Sequence, residues 1–175
     1  MKRIKFILPA AMIIFFLSAG FVIHPDTETT SYRVVVNKHK YEMRVYDGKG
    51  WLATYPVVFG NETLNKKTRE GDRCTPEGSY RITYKKKHNE WGHFMLLDYP
   101  NQQDLARFRE LQKKGLIPAN AKPGNGIGIH GTRPNQDNYV DRYINWTLGC
   151  ISTKRDYAKE LFEMLPVGTE VIIQP

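Results

Sequence analysis

From Tyr32 onward the chain alternates short runs of β-branched and aromatic residues with clusters of turn formers, and this rhythm constrains its fold more than any other feature. Tyr32-Arg-Val-Val-Val36, Lys40-Tyr-Glu-Met-Arg-Val-Tyr46 and Trp51-Leu-Ala-Thr-Tyr-Pro-Val-Val-Phe59 have the length and composition of strands. Asn37-Lys-His-Lys40 and Asp47-Gly-Lys-Gly50 supply turn chemistry between them, so the spacing predicts a β-meander. Proline has no N–H to give a ladder, which puts Pro56 on an edge strand or at a bulge.

Further strands are expected at Ser79-Tyr-Arg-Ile-Thr-Tyr84, at Trp91 to Leu97, at Gly126-Ile-Gly-Ile-His130 and at Thr169 to Ile173. Asn61 to Cys74 is polar and charged, the composition of a loop. Helical periodicity appears in two segments. Asp104 to Lys114 carries it through Leu105, Phe108 and Leu111, with Gly115 placed to end the helix; Lys154 to Leu165 carries it through Tyr157, Leu161 and Leu165, with Pro166-Val-Gly168 as its stop. Thr132 to Trp146 reads as a polar, turn-rich excursion. Strands dominate, so the expected class is mainly β with small helices, a β-sandwich or partly closed barrel.

Ahead of this region, Lys2, Arg3 and Lys5 precede an uncharged run from Phe6 to Ile23. A basic start followed by an apolar stretch addresses a chain to a membrane, so residues 1–23 are expected to act as a signal peptide or as an N-terminal membrane anchor. The polar segment 24–31 is a linker, which leaves residues 32–175 as one compact domain. Setting aside Lys2, Arg3 and Lys5 leaves 23 basic residues against 18 acidic ones, a net charge of about +5. A solvated surface explains most of that charge, and it would also favour anionic polymers. No nucleic-acid motif accompanies the charge, and nucleic acid is not an expected partner.

Candidate chemistry concentrates in Gly126-Ile-Gly-Ile-His-Gly-Thr132 and Asn145-Trp-Thr-Leu-Gly-Cys-Ile151. A thiol directly after a glycine, with an imidazole upstream, is the minimum equipment for nucleophilic acyl transfer. Cys150 is the candidate nucleophile and His130 its general base and acid. A free thiol has a pKa of about 8.5, so the nucleophile needs that help at neutral pH. Two cysteines in an exported chain are also the makings of a disulfide. A Cys74–Cys150 bond, giving a non-catalytic wall-binding module, therefore stands as the alternative. No two histidines or carboxylates share ligand spacing with either cysteine, and neither a metal nor another cofactor is expected.

The pattern His130-Gly-Thr132 followed by Thr147-x-Gly-Cys150-Ile151 resembles the signature of the L,D-transpeptidases, the YkuD-type catalytic domain, which remodel bacterial peptidoglycan. The likeness extends through Thr75-Pro-Glu-Gly-Ser-Tyr80, Leu97-Asp-Tyr-Pro-Asn101 and Leu165-Pro-Val-Gly-Thr-Glu-Val-Ile-Ile173, nearly everything after the N-terminal segment. The resemblance implies the same β-rich architecture, peptidoglycan stem peptides as partners and an acyl-enzyme on Cys150. It implies that the Gly131 carbonyl orients His130 and that the N–H groups of Gly149 and Cys150 form an oxyanion hole. Thr132, Arg133, Thr147 and Ser152 are the residues expected around the substrate. The acyl group would pass to an amine of a second stem, or to water in an L,D-carboxypeptidase or amidase.

Two positions depart from the family pattern. Leu148 stands where many members have a polar residue, and Ser152 stands where many have an arginine suited to clamping a substrate carboxylate. Arg133, Lys154 and Arg155 are the cations left for that task. Asp137 and Asp141 are alternative partners for the histidine, and Asn101 to Pro123 is a candidate lid or pocket wall.

Overall fold

The computed structural model describes residues 31–175. Its eight strands are β1 (Arg33–Asn37), β2 (Glu42–Asp47), β3 (Gly50–Pro56), β4 (Gly78–His88), β5 (Gly92–Leu97), β6 (Gly128–Gly131), β7 (Ile151–Thr153) and β8 (Glu170–Gln174). They form one sheet in the order β3-β2-β1-β8-β4-β5-β6-β7. The sheet curls until its two edges meet: Val58, just past β3, exchanges backbone hydrogen bonds of 2.8 and 2.9 Å with Ser152 of β7. The result is a nearly closed barrel, and Pro56 ends one of its edge strands, where its missing N–H costs no ladder bond.

Alternation of the side chains explains the core. Val34 and Val36 on β1, Met43 and Val45 on β2, and Val171 and Ile173 on β8 all turn inward. There they meet Tyr80, Ile82, Met95, Leu97, Ile129 and Ile151. Three small helices decorate the sheet: α1 (Gln102–Lys113), α2 (Asn138–Asp141) and α3 (Arg155–Met164). Leu161 of α3 and Leu165 just after it are fully buried, and the helix packs on β5 and β6.

Several local expectations change. β4 runs on through Lys85–Lys87 because it serves two neighbours, pairing with β8 in its first part and β5 in its second. A register shift between Ile82 and Tyr84 bends it between the two. The first helix starts two residues early. Asn101 caps it by accepting from the N–H groups of Gln103 and Asp104, while Asp104 accepts from the Asn101 N–H, a capping box. The polar excursion contains α2. Lys38, which the sequence assigns to an ordinary turn, is fully buried, its Nζ 2.5 Å from Glu77 and 2.6 Å from the Leu64 carbonyl.

Expectations for residues 1–30 lie outside the described residues. Among the described residues no helix is long and apolar enough to cross a membrane.

Candidate active site

β6 and β7 are parallel neighbours, with His130 paired to Ser152 and Gly131 to Thr153. Cys150 immediately precedes β7. The fold thereby delivers the imidazole and the thiol to one end of adjacent strands, and both line a cleft of about 360 Å³. Its walls are Trp91, the segment 125–127, Arg133, Trp146, Thr147 and Leu148.

Nδ1 of His130 lies 2.8 Å from the carbonyl oxygen of Gly131. A carbonyl can only accept, so Nδ1 carries the proton and Nε2 keeps its lone pair. The ring stacks on Trp91 with centroids 4.6 Å apart, and Trp146 meets it edge-on at 5.6 Å. His88 stacks on the same Trp91 at 4.2 Å. Burial drives the imidazole pKa down to about 4, although the Gly131 carbonyl pulls the other way. Burial likewise pushes the Cys150 thiol up to about 11, against smaller effects of the Gly128 backbone and the Lys67 charge. Both shifts favour the neutral forms of the two groups that line the cleft, and the thiol donates to the Gly126 carbonyl at 3.4 Å.

The turn that carries the cysteine is held by one hydroxyl. Thr147 Oγ1 donates to the Cys150 carbonyl at 2.8 Å and accepts from the Gly149 N–H at 3.1 Å. Gly149 has φ +132°, and a Cβ there would sit 2.8 Å from the Cys74 carbonyl oxygen, so only glycine fits. Of the two N–H groups expected to form an oxyanion hole, that of Gly149 is thus taken by Thr147. The Cys150 N–H has no partner among the described residues.

The remaining expected residues divide. Arg133 and Thr147 reach the cleft. Thr132 is fully buried and gives its hydroxyl to Asp137, which also accepts from the Arg155 N–H at 3.1 Å. Ser152 is fully buried as well, and its Oγ has no partner among the described residues. Arg155 is committed to the carbonyls of Glu90 and Thr132, both at 2.8 Å, and Lys154 pairs with Asp141. Both aspartates are therefore engaged away from His130. Arg133 is the cation at the cleft, 5.1 Å above the Trp146 ring and 3.7 Å from the Glu90 carboxylate. Gly126 and Ile127 belong to the stretch singled out from sequence, whereas Trp91 was read only as the start of a strand; it lies in the turn before β5, which begins at Gly92.

The two cysteines are both free. Cys74 aims its thiol at the Asp72 carbonyl, 3.4 Å away, with the Asn61 amide at 3.9 Å, while Cys150 faces Gly126. The alternative of a Cys74–Cys150 bond is not the arrangement found. Cys74 supports the site through its backbone, against which Gly149 packs. Its loop is organised by Asp72, which accepts from the N–H groups of Thr68, Arg69 and Cys74 and from Lys67 at 2.7 to 3.0 Å.

Residues 31–173 match the family model of the L,D-transpeptidase catalytic domain, YkuD. The chain is 32% identical over 147 residues to the Bacillus subtilis (strain 168) protein named "Putative L,D-transpeptidase YqjB", covering 80% of this chain and 69% of that one. Among solved structures, it is similar in fold to the helical cell shape determining protein Pgp2 from Campylobacter jejuni, with a TM-score of 0.58 and 22% identity over 83% of this chain and 48% of that one. It is also similar to L,D-transpeptidase 3 from Mycobacterium tuberculosis, solved in complex with a faropenem-derived adduct, with a TM-score of 0.56 and 14% identity over 83% and 61%. The chain thus spans less than two thirds of either solved protein.

Proposed function

Since this chain belongs to the L,D-transpeptidase catalytic-domain family, we propose that it is an exported cysteine acyltransferase of peptidoglycan stem peptides. The observation that carries this reading is the fixed tautomer of His130. With Nδ1–H held by Gly131, Nε2 is the basic atom in a cleft that the Cys150 thiol also lines.

In the proposed reaction, His130 Nε2 takes the thiol proton as Cys150 Sγ attacks the carbonyl of the third stem residue. The Cys150 N–H, free in the resting site, donates to the oxyanion. Collapse of the adduct breaks the peptide bond, the imidazolium returns its proton to the departing D-alanine amine, and a thioester remains. An amine from a second stem then adds to the thioester, gives its proton to His130 and leaves a 3-3 cross-link with the thiol restored. Arg133 meets a carboxylate of the stem, the part that an arginine at position 152 would otherwise fill. The neutral resting pair suits this order, since charge develops only when a carbonyl arrives to receive it.

The test is intact-mass spectrometry of reduced protein after exposure to faropenem. A covalent gain in mass that disappears in Cys150→Ala is expected. An adduct that survives in Cys150→Ala, or none on the wild-type protein, sinks the assignment. Product analysis on isolated tetrapeptide stems then separates 3-3 cross-links from the tripeptide that water would yield.

A further inference from the structure

We propose that the end of the sheet remote from the catalytic cleft is a membrane-docking surface, which seats on anionic phospholipid headgroups and turns the cleft away from the bilayer. The β2–β3 turn, the start of β1 and the turn before β8 meet at this end. Ser31, Arg33, Asp47, Gly48, Arg81 and Gly168 line one polar groove there, about 480 Å³ in volume.

Beside the groove stand large apolar side chains that the core does not use. Trp51 is 65% exposed, Leu52 44% and Val167, next to Gly168, 58%. The register shifts between Val45 and Tyr46, which leaves Leu52 as the extra residue of a bulge, and the Trp51 indole donates to the Thr54 hydroxyl at 3.0 Å, so Trp51 and Leu52 share the outward face of the hairpin. An exposed indole and leucine side by side on one outward face make an apolar patch that suits the headgroup boundary of a bilayer.

Cations surround it. Lys49 is exposed at the tip, and Arg33 and Arg81 are exposed in the groove. Two carboxylates share this end, Asp47, which accepts from the N–H groups of Lys49 and Gly50 at 2.8 and 3.0 Å, and Glu170, which accepts from the Ser79 hydroxyl at 3.1 Å; both keep their charge, so Arg33, Lys49 and Arg81 leave a small positive excess, with Arg81 also donating to the Gly168 carbonyl at 3.0 Å. Tryptophan together with lysine and arginine at a boundary between apolar and polar surface is the composition of an interfacial anchor. Basic side chains there are drawn to anionic lipid.

Chain connectivity selects a bilayer over a soluble polymer as the occupant. The described chain starts at Ser31, inside this groove, and the uncharged run Phe6–Ile23 ends only eight residues earlier. Eight residues reach at most about 28 Å. The docking surface and the reading of that run as a membrane segment therefore support each other. In the other direction, β3 leads from Trp51 to Val58, which bridges Ser152 beside the cleft. The seven steps from Trp51 to Val58, mostly within β3, span at most about 23 Å and lead away from the tip towards the cleft.

The experiment uses the full chain reconstituted into vesicles of phosphatidylglycerol and phosphatidylethanolamine, some brominated on the acyl chains near the headgroup. The Trp51 signal is the fluorescence difference between wild type and Trp51→Phe. Quenching of that signal by bromolipid, with loss of its quenching by aqueous iodide, is expected. The double variant Arg33→Glu/Lys49→Glu should lower the protection at least threefold at low salt and little at high salt. A Trp51 signal that stays open to iodide on vesicles overturns the proposal. So does protection by soluble wall glycan in place of vesicles, which would give the groove to a polysaccharide. Faropenem acylation of Cys150 is read separately, so failure here and failure of the catalytic assignment are distinguishable.

Discussion

Thr147 donates its hydroxyl to the Cys150 carbonyl at 2.8 Å and in the same geometry accepts from the Gly149 N–H. One side chain therefore closes the turn that presents Cys150, the proposed nucleophile, and it also takes up one of the two N–H groups proposed for the oxyanion hole. Thr147→Val keeps the shape and loses both bonds. A nucleophile misplaced by about 1 Å can cost roughly 10²-fold, so faropenem acylation should slow by about that factor, with Thr147→Ser close to wild type. A Thr147→Val protein that acylates at the wild-type rate in a mass-spectrometric time course would show the hydroxyl to be incidental.

Arg133 is the cation that the fold leaves at the cleft once Lys154 and Arg155 are committed elsewhere. Its guanidinium rests over Trp146 and reaches Glu90 only loosely, so it is free to meet a carboxylate. A charge-assisted hydrogen bond contributes about 1.5–3 kcal/mol. Arg133→Ala should raise KM for a tetrapeptide stem by ten- to a hundredfold with a smaller change in kcat, and Arg133→Lys should fall between. Equal effects on a substrate whose terminal carboxylate is amidated would remove the clamp from the mechanism.

The strands were legible because their pattern is local: a barrel with one buried face prints period-two alternation onto each segment, as in Val34, Val36, Met43 and Val45. The histidine and cysteine were legible because their spacing is characteristic of a known chemistry. Lys38 was not, since a lysine among turn residues shows nothing of Glu77, which joins it from a distant part of the chain. Asp137, named above as an alternative partner for the histidine, instead accepts from the Thr132 hydroxyl five residues back and from the Arg155 N–H of α3, a contact with a helix that its own segment does not reveal. The Thr147 hydroxyl was partly legible, because Ser and Thr commonly bond to backbone a few residues away in turns.

His130 ties the chemistry to stability. Its folded pKa is near 4, against an ordinary value of 6.5, because burial disfavours the charged ring. Between those values the unfolded chain binds a proton that the native chain does not. The contribution is therefore fully present above pH 6.5 and is lost as the pH falls towards 4. At about 1.4 kcal/mol per unit, the loss amounts to roughly 3 kcal/mol. Urea unfolding at pH 7, 5.5 and 4 should show this decline in the wild type and a flatter profile in His130→Gln. Parallel profiles would mean that the buried imidazole does not titrate as described.

Lys38 and Glu77 form an ion pair whose lysine is fully buried, and the Leu64 carbonyl takes another of its protons. Removing one member of such a pair strands the other charge and typically costs about 3–5 kcal/mol. Glu77→Gln and Lys38→Met should each lower stability by that order, whereas the double replacement Lys38→Met/Glu77→Leu should recover much of it. A double variant no more stable than the singles would point to the Leu64 contact, and the loop it anchors, as the main source of the loss.

Gly60 lies where three backbones converge beneath the nucleophile turn. A Cβ there would come within 2.2 Å of the Arg73 carbonyl, 2.7 Å of the Gly149 nitrogen and 2.8 Å of the Thr147 carbonyl. None of these is a flexible side-chain end, so the loop through Arg73 or the turn through Gly149 must move. Overpacking of this kind costs about 1–3 kcal/mol. Gly60→Ala should lose stability in that range and lose acylation out of proportion, because the displaced atoms belong to the turn that holds Cys150. Gly48 provides the comparison: a Cβ there meets nothing within 4 Å, so Gly48→Ala should leave both stability and acylation close to wild type. If Gly60→Ala destabilises the chain while the residual folded protein acylates normally, the crowding bears on folding alone and the turn is less tightly coupled to the loop beneath it than the contacts require.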